Sequence, residues 1–151
     1  MNARPFGKLG TVSTLTLGGG GLGQLWGPTT REECVATACE APELGITLLD
    51  LAPSYGNGEA ESVIGEAFDG KLPDGVRVTT KCRVGDTPAA DIPTLLEGSL
   101  ASSLDRMKLK RVDVMFLHNW VTADGAPTYD RGTPRSIVES AVIPTLQRFV
   151  D

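Results

Sequence analysis

Residues 45–65 read GITLLDLAPSYGNGEAESVIG, and the reading of this stretch decides the fold. Residues 46–51 are a short apolar run of the kind that suits a strand buried on both faces. The far end predicts a helix, because Ala60, Val63, Ile64, Ala67 and Phe68 fall on one face at helical spacing. Between them lies a turn, with Asn57 the expected N-cap. Asp50 interrupts the strand near its C-terminal end, and Tyr55 follows in the loop. A carboxylate at the end of a buried strand costs free energy unless it has a partner. Asp50 is therefore a functional candidate on chemistry alone. Glu61 and Glu66 are read as the solvated face of the helix.

Toward the N-terminus, residues 5–17 alternate loosely around Gly7 and Gly10, as in a short hairpin. Leu15 and Leu17 fit a first buried strand, and a glycine run follows in LTLGGGGLGQLWG, residues 15–27. Gly18, Gly20 and Gly23 satisfy G-x-G-x-x-G. A Rossmann loop, however, starts its helix at the fingerprint, so that the helix N-terminus meets the pyrophosphate. Here the next helix signal waits until Thr29 or Thr30, where Glu32 and Glu33 complete capping boxes. The glycine run is thus read as a loop. The helix over 31–44 places Val35, Ala38 and Cys39 on one face. Pro42 should kink or end it near Ala41, with Gly45 closing the turn.

Toward the C-terminus, residues 76–81 form a third strand. Asp91 caps a helix whose stripe is Leu95, Leu96, Leu100, Leu104 and Met107, weakened by Gly98. The basic run 108–111 suits that helix's C-terminal end. Residues 112–117 are a fourth strand with Asp113 at its entry, and a long polar loop spans 119–132. A last helix starts at Thr133 and Pro134, with Pro at the first helical position. It carries Ile137, Val138, Ala141, Val142, Leu146 and Phe149, and Pro144 interrupts it. Strands and helices alternate strictly, which implies a parallel sheet.

A net charge of −5 and a pI near 4.9 argue against nucleic acid, which requires a basic stripe. No apolar run approaches the roughly 18 residues of a membrane span, and the N-terminus lacks the apolar core of a signal peptide. A cytoplasmic location is the expectation. Cys34, Cys39 and Cys82 have no C-x-x-C spacing and are read as reduced thiols. One His and scattered cysteines supply no ligand set, so no metal is expected.

An apolar strand ending in Asp, then Y-G-N-G-x-x-E and an apolar-Gly pair, resembles the signature of the aldo-keto reductases. The resemblance runs from the glycine run to about Val150. It implies a (β/α)8 TIM-type barrel, of which this chain holds about four β-α units. A full barrel takes about 250 residues, against 151 here. Residues 1–151 are therefore expected to be the N-terminal half of such a barrel, with no second domain. The resemblance also implies a catalytic tetrad of Asp50, Tyr55, Lys81 in VRVTTKC, and His118 in VDVMFLHNW. Carbonyl reduction needs a hydride on carbon and a proton on oxygen. A phenol ionises near about 10, and a neighbouring ammonium favours its charged form. In the implied scheme Tyr55 is the acid, Lys81 tunes it, Asp50 holds Lys81, and His118 orients the carbonyl.

By the same resemblance the cofactor is NADPH, with NADH the other candidate, and Gly20, Gly21, Leu22 and Asp50 contact it. Trp26, Tyr55, His118 and Trp120 would wall the pocket for a small carbonyl substrate. The family's second half carries most of the cofactor grip. An open four-stranded parallel sheet leaves two unpaired edges, so self-association to complete the barrel is an expectation. The alternative is a truncated, non-catalytic barrel-derived protein with an interaction or regulatory role. A small Rossmann-type binder is a third reading, in which Gly20 and Gly23 would matter and Lys81 would not.

Overall fold

The computed structural model describes residues 1–127 and 131–150. Short strands β1 (Ala3–Pro5) and β2 (Thr11–Ser13) pair antiparallel around a 3₁₀ turn, giving the expected hairpin two residues early. The next strand, β3, is only Leu17–Gly18. Leu15 lies outside it and is 59% exposed, against the expectation of a buried position. The glycine run is not a loop either. It winds at once into a single turn, α1 (Gly19–Leu22).

The second helix, α2 (Arg31–Glu43), begins as expected. The Thr30 hydroxyl accepts from the Glu33 N–H, and the Glu33 carboxylate accepts from the Thr30 N–H, a complete capping box. Pro42 does not end the helix, which runs past Ala41 to Glu43. It sits in the last turn, and two bonds close the end: Gly45 N–H to Pro42 O at 2.9 Å and Ile46 N–H to Ala41 O at 2.9 Å. Gly45, at φ +86°, supplies the left-handed residue this Schellman ending requires. The buried face is Cys34, Ala38 and Ala41, while Cys39 is exposed.

Strand β4 (Leu48–Asp50) buries Leu48 and Leu49, and α3 (Glu59–Phe68) follows. Asn57 is not the N-cap of α3; Gly58 is, with no side-chain cap. Gly56, Asn57 and Gly58 are all left-handed, at φ +66°, +54° and +89°, so the chain enters α3 through a tight coil rather than an extended cap residue. Strand β5 (Arg77–Cys82) is buried over Val78, Thr79 and Thr80. Helix α4 (Ile92–Met107) starts directly after Asp91, whose carbonyl accepts from Leu95 N–H. Its fully buried positions are Ile92, Leu96, Ser103 and Met107. Strand β6 (Val114–Leu117) follows. Asp113 fixes its entry: its N–H donates to Val78 O, and its Oδ2 accepts from Val78 N–H at 2.9 Å.

The sheet order is β3-β4-β5-β6. The β3–β4 and β4–β5 pairs are parallel, with Gly18↔Asp50 and Asp50↔Thr79 in register. Sequential order without reversal is the winding of a barrel, whereas a doubly wound sheet reverses at its switch point. The expected loop 119–132 instead contributes two short strands, β7 (Trp120–Thr122) and β8 (Gly132–Pro134), paired in parallel. Residues 128–130 of that loop lie outside the described residues, as does the last residue of the expected half-barrel.

The final helix starts at Arg135, not at Pro134. It runs as α5 (Arg135–Ile137), a π-helical turn (Val138–Val142) and α6 (Ile143–Arg148). Pro144 explains the π turn, since it has no N–H to donate and its ring crowds the preceding turn. Widening lets Ile143 N–H reach back five residues to Val138 O. Asp124 caps the start of this helix from the loop, accepting from Ser136 N–H at 3.0 Å, and that bond holds its carboxyl below its ordinary range.

The chain divides into two compact units. The first, Met1–Thr80 with Ser102–Val114, is built on Leu49, Leu51, Val63, Ile64, Val78 and Met107. The second, Lys81–Ala101 with 115–151, is built on Cys82, Val84, Ile92, Leu96 and Val142. Fully burying side chains of this size stabilises by about 1.5–3 kcal/mol each.

Candidate active site

Asp50 ends β4 and is half-buried. Its direct ladder partner on β5 is Thr79, which is 2% exposed. Side chains of registered residues on neighbouring parallel strands point to the same face. The Thr79 hydroxyl accordingly donates to Asp50 Oδ1 at 2.6 Å. Just beyond, Leu51 N–H continues the ladder to Thr79 O at 3.1 Å. The strand end is thus held by main chain and side chain together.

Tyr55 follows in a turn closed by its own N–H to Ala52 O at 3.0 Å, and its carbonyl accepts from Ala60 N–H at 3.2 Å. The glycine turn α1 interlocks with this segment. A Cβ on Gly19 would lie 3.0 Å from Asp50 O and 3.1 Å from the Tyr55 ring. One on Gly23 would lie 2.6 Å from Tyr55 O, and one on Gly56 would run into Gly23 O. The Asp50 carbonyl and the Tyr55 ring thus both pack against α1, tightly at Gly19 and with room only for glycine at Gly23 and Gly56.

Lys81 is the penultimate residue of β5, and His118 immediately follows β6. Both are half-buried. His118 N–H donates to Cys82 O at 2.7 Å, so the ends of these two strands are joined beside Lys81. Asn119 Oδ1 accepts from Val84 N–H at 3.0 Å and secures the chain after His118. Burial pushes the neighbouring Cys82 thiol up, against a smaller opposing bond with Ser99.

The residues expected at the cofactor are unequally placed. Leu22 belongs to the hydrophobic core. Gly20 is buried and covered by the Trp26 indole, since a Cβ there would lie 2.6 Å from the ring. Gly21 and Asp50 retain accessible surface. Trp26 and Trp120 are 79% and 66% exposed.

Glu61 corrects the sequence reading outright. It is fully buried, not solvated. Its Oε1 accepts from the Thr80 hydroxyl at 2.6 Å, and its Oε2 from Arg106 Nε and Nη2 at 2.8 and 2.7 Å. Gly58 and Gly65 make room for the Arg106 side chain and main chain respectively. Glu66 is at the surface as expected, bonded to Arg31 at 2.9 Å. A signal for Glu61 was present: it precedes Gly65 and Phe68 at i+4 and i+7, on the packed side of α3.

Among the described residues no group of three or more His, Cys, Asp or Glu is placed to hold a metal ion, and no helix is long and apolar enough to cross a membrane.

Comparison with known proteins places this geometry in a family. Residues 14–145 match the model of the aldo/keto reductase family. The chain is 31% identical to L-galactose dehydrogenase of Arabidopsis thaliana, over 97% of this chain and 44% of that protein. It is 32% identical to the NADH-specific methylglyoxal reductase of Escherichia coli K12, over 71% of this chain and 36% of that protein. An aldo-keto reductase from Klebsiella pneumoniae, solved in complex with NADPH, superimposes with a TM-score of 0.72 at 23% identity, covering 99% of this chain and 46% of that one. The chain spans about half the length of the proteins it matches. With the parallel sheet and its strand-end residues, the match over residues 14–145 makes this chain a member of the aldo/keto reductase family.

Proposed function

We propose that this chain carries the proton-donating machinery of a nicotinamide-dependent carbonyl reductase, an enzyme reducing an aldehyde or ketone to an alcohol. The observation that carries the reading is the family match, which spans all four residues Asp50, Tyr55, Lys81 and His118. Their positions at or just after the C-terminal ends of β4, β5 and β6 support it, since that is the catalytic end of a (β/α)8 barrel.

In this reading Tyr55 donates the proton to the carbonyl oxygen. Its backbone is locked between α1 and α3, which suits a general acid that must be held within hydrogen-bond reach of substrate. Lys81 stabilises the phenolate that remains, and Asp50 holds Lys81. His118 donates a hydrogen bond to the carbonyl oxygen and sets its direction. Gly21 and Asp50 are the residues whose accessible surface fits a contact with the cofactor, whereas Gly20 and Leu22 are occupied by internal packing. A reduced nicotinamide cofactor, when bound, supplies the hydride for the carbonyl carbon. NADPH is the proposed cofactor, with NADH the comparison, because the E. coli relative is named for NADH.

The test is a fluorescence titration with NADPH and NADH, followed by turnover of methylglyoxal and a panel of aldehydes. Saturable micromolar binding and turnover are expected. Tyr55→Phe should lower kcat by about 10²–10⁴-fold while cofactor affinity holds. Turnover indifferent to Tyr55→Phe would remove the reductase reading.

A further inference from the structure

We propose that Thr79 is a positioning residue that fixes the Asp50 carboxylate, an assignment that rests on the catalytic reading of Asp50. The ladder register sets Thr79 directly opposite Asp50, and its hydroxyl donates to Asp50 Oδ1 at 2.6 Å. Thr79 is 2% exposed, so water does not compete for that hydroxyl. A β-branched side chain in a strand has restricted χ1 freedom, and the donor stays aimed. A hydrogen bond to an ionised acceptor is short and strong.

The chemistry follows from the pleat. Thr79 and Lys81 are separated by two positions, so they belong to the same face of β5. Thr79 holds one carboxylate oxygen at the register position, and this sets the plane in which Asp50 presents its charge. Thr80, between them, belongs to the opposite face and donates to Glu61. One strand therefore carries a positioning hydroxyl and the candidate lysine on one side, and a structural hydroxyl on the other. Valine at 79 keeps the shape and removes the donor. Serine keeps the donor.

The experiment compares the wild-type chain, Thr79→Val and Thr79→Ser, each labelled with ¹³C at the aspartate carboxyls. Asp50→Asn assigns the Asp50 signal. Thr79→Val should displace and broaden the Asp50 resonance and leave the other aspartates in place, and Thr79→Ser should return it. In steady-state reduction of methylglyoxal with NADPH, Thr79→Val should lower kcat on the order of tenfold through misplacement. The carbonyl KM should change less than twofold, and a limb of the kcat–pH profile should move. Thr79→Ser should restore both. An Asp50 resonance unmoved in Thr79→Val overturns the assignment, whatever the turnover. So does a displaced resonance with an unaltered kcat and pH profile. A displaced resonance in a chain whose wild type reduces no carbonyl overturns the reductase reading instead, and supports the Thr79–Asp50 contact.

Discussion

The two faces of β5 make the same hydrogen bond for different ends. On one face Thr79 donates to Asp50, and on the other Thr80 donates to Glu61, both at 2.6 Å. The carboxylates differ in what surrounds them. Glu61 is wholly buried and has Arg106 on its second oxygen, so its charge is matched and closed off from solvent. Asp50 is half-buried at the end of its strand, beside the turn that carries Tyr55. A buried carboxylate with a dedicated cation holds elements together. One that is only half-buried at a strand end keeps accessible surface. Residue type does not separate them; burial does.

The comparison breaks most readily at Arg106. Arg106→Met leaves the Glu61 charge buried and unpaired, which should cost about 3–5 kcal/mol in urea unfolding. The double variant Glu61→Met/Arg106→Met should recover most of that, because replacing a whole buried pair by apolar side chains is often near neutral. A loss below about 1 kcal/mol for Arg106→Met alone would show that solvent reaches Glu61, and the contrast between the faces would collapse.

A smaller effect sharpens it. Thr80→Val deprives a buried carboxylate oxygen of its donor and should cost about 1–3 kcal/mol. Thr79→Val withdraws the same bond from a carboxylate that solvent can reach, and should cost about 0.5–1.5 kcal/mol. The order of the two losses, measured by parallel denaturation, is the result that matters. Stability should fall more on the Thr80 face, and turnover more on the Thr79 face.

What could be read in the sequence follows how local its cause is. Helices α2, α3 and α4 were legible within a few residues, because helical spacing and the Thr30–Glu33 box are written into adjacent positions. Asp50 at its strand end was legible from the apolar run it interrupts, and Lys81 and His118 from the family resemblance. The spacing of Glu61 hinted at its burial, but its partner Arg106 lies 45 residues away, and nothing near either residue announces the other. Thr79 was missed because strand register is a tertiary fact. The glycine turn α1 runs against helix propensity. It forms where the Trp26 ring and the Tyr55 main chain pack against it, which no local signal encodes. The β7–β8 ladder is equally non-local, since it joins segments across the loop after β6.

The smallest effect asks whether burial, and not merely pairing, sets the Glu61 face apart. Helix α3 carries Glu59 and Glu66 as well as Glu61, and both are bonded to Arg31, at 2.6 and 2.9 Å. Glu59, first, and Glu66 hold the Arg31 guanidinium above its ordinary value. By distance alone this cluster rivals the Arg106–Glu61 pair. Its side chains, however, are 39% exposed for Arg31, 26% for Glu59 and 52% for Glu66. Water and salt therefore screen the attraction, and removing the arginine strands no charge in a dry site. Arg31→Ala should cost less than about 1 kcal/mol, and the loss should shrink further when ionic strength is raised from 0.01 M to 1 M. Arg106→Met should lose nearly as much at high salt as at low, since a pair whose carboxylate is fully buried is screened far less. Equal salt sensitivity in the two variants would mean that α3 meets solvent along both sides, and burial would no longer set the Glu61 face apart.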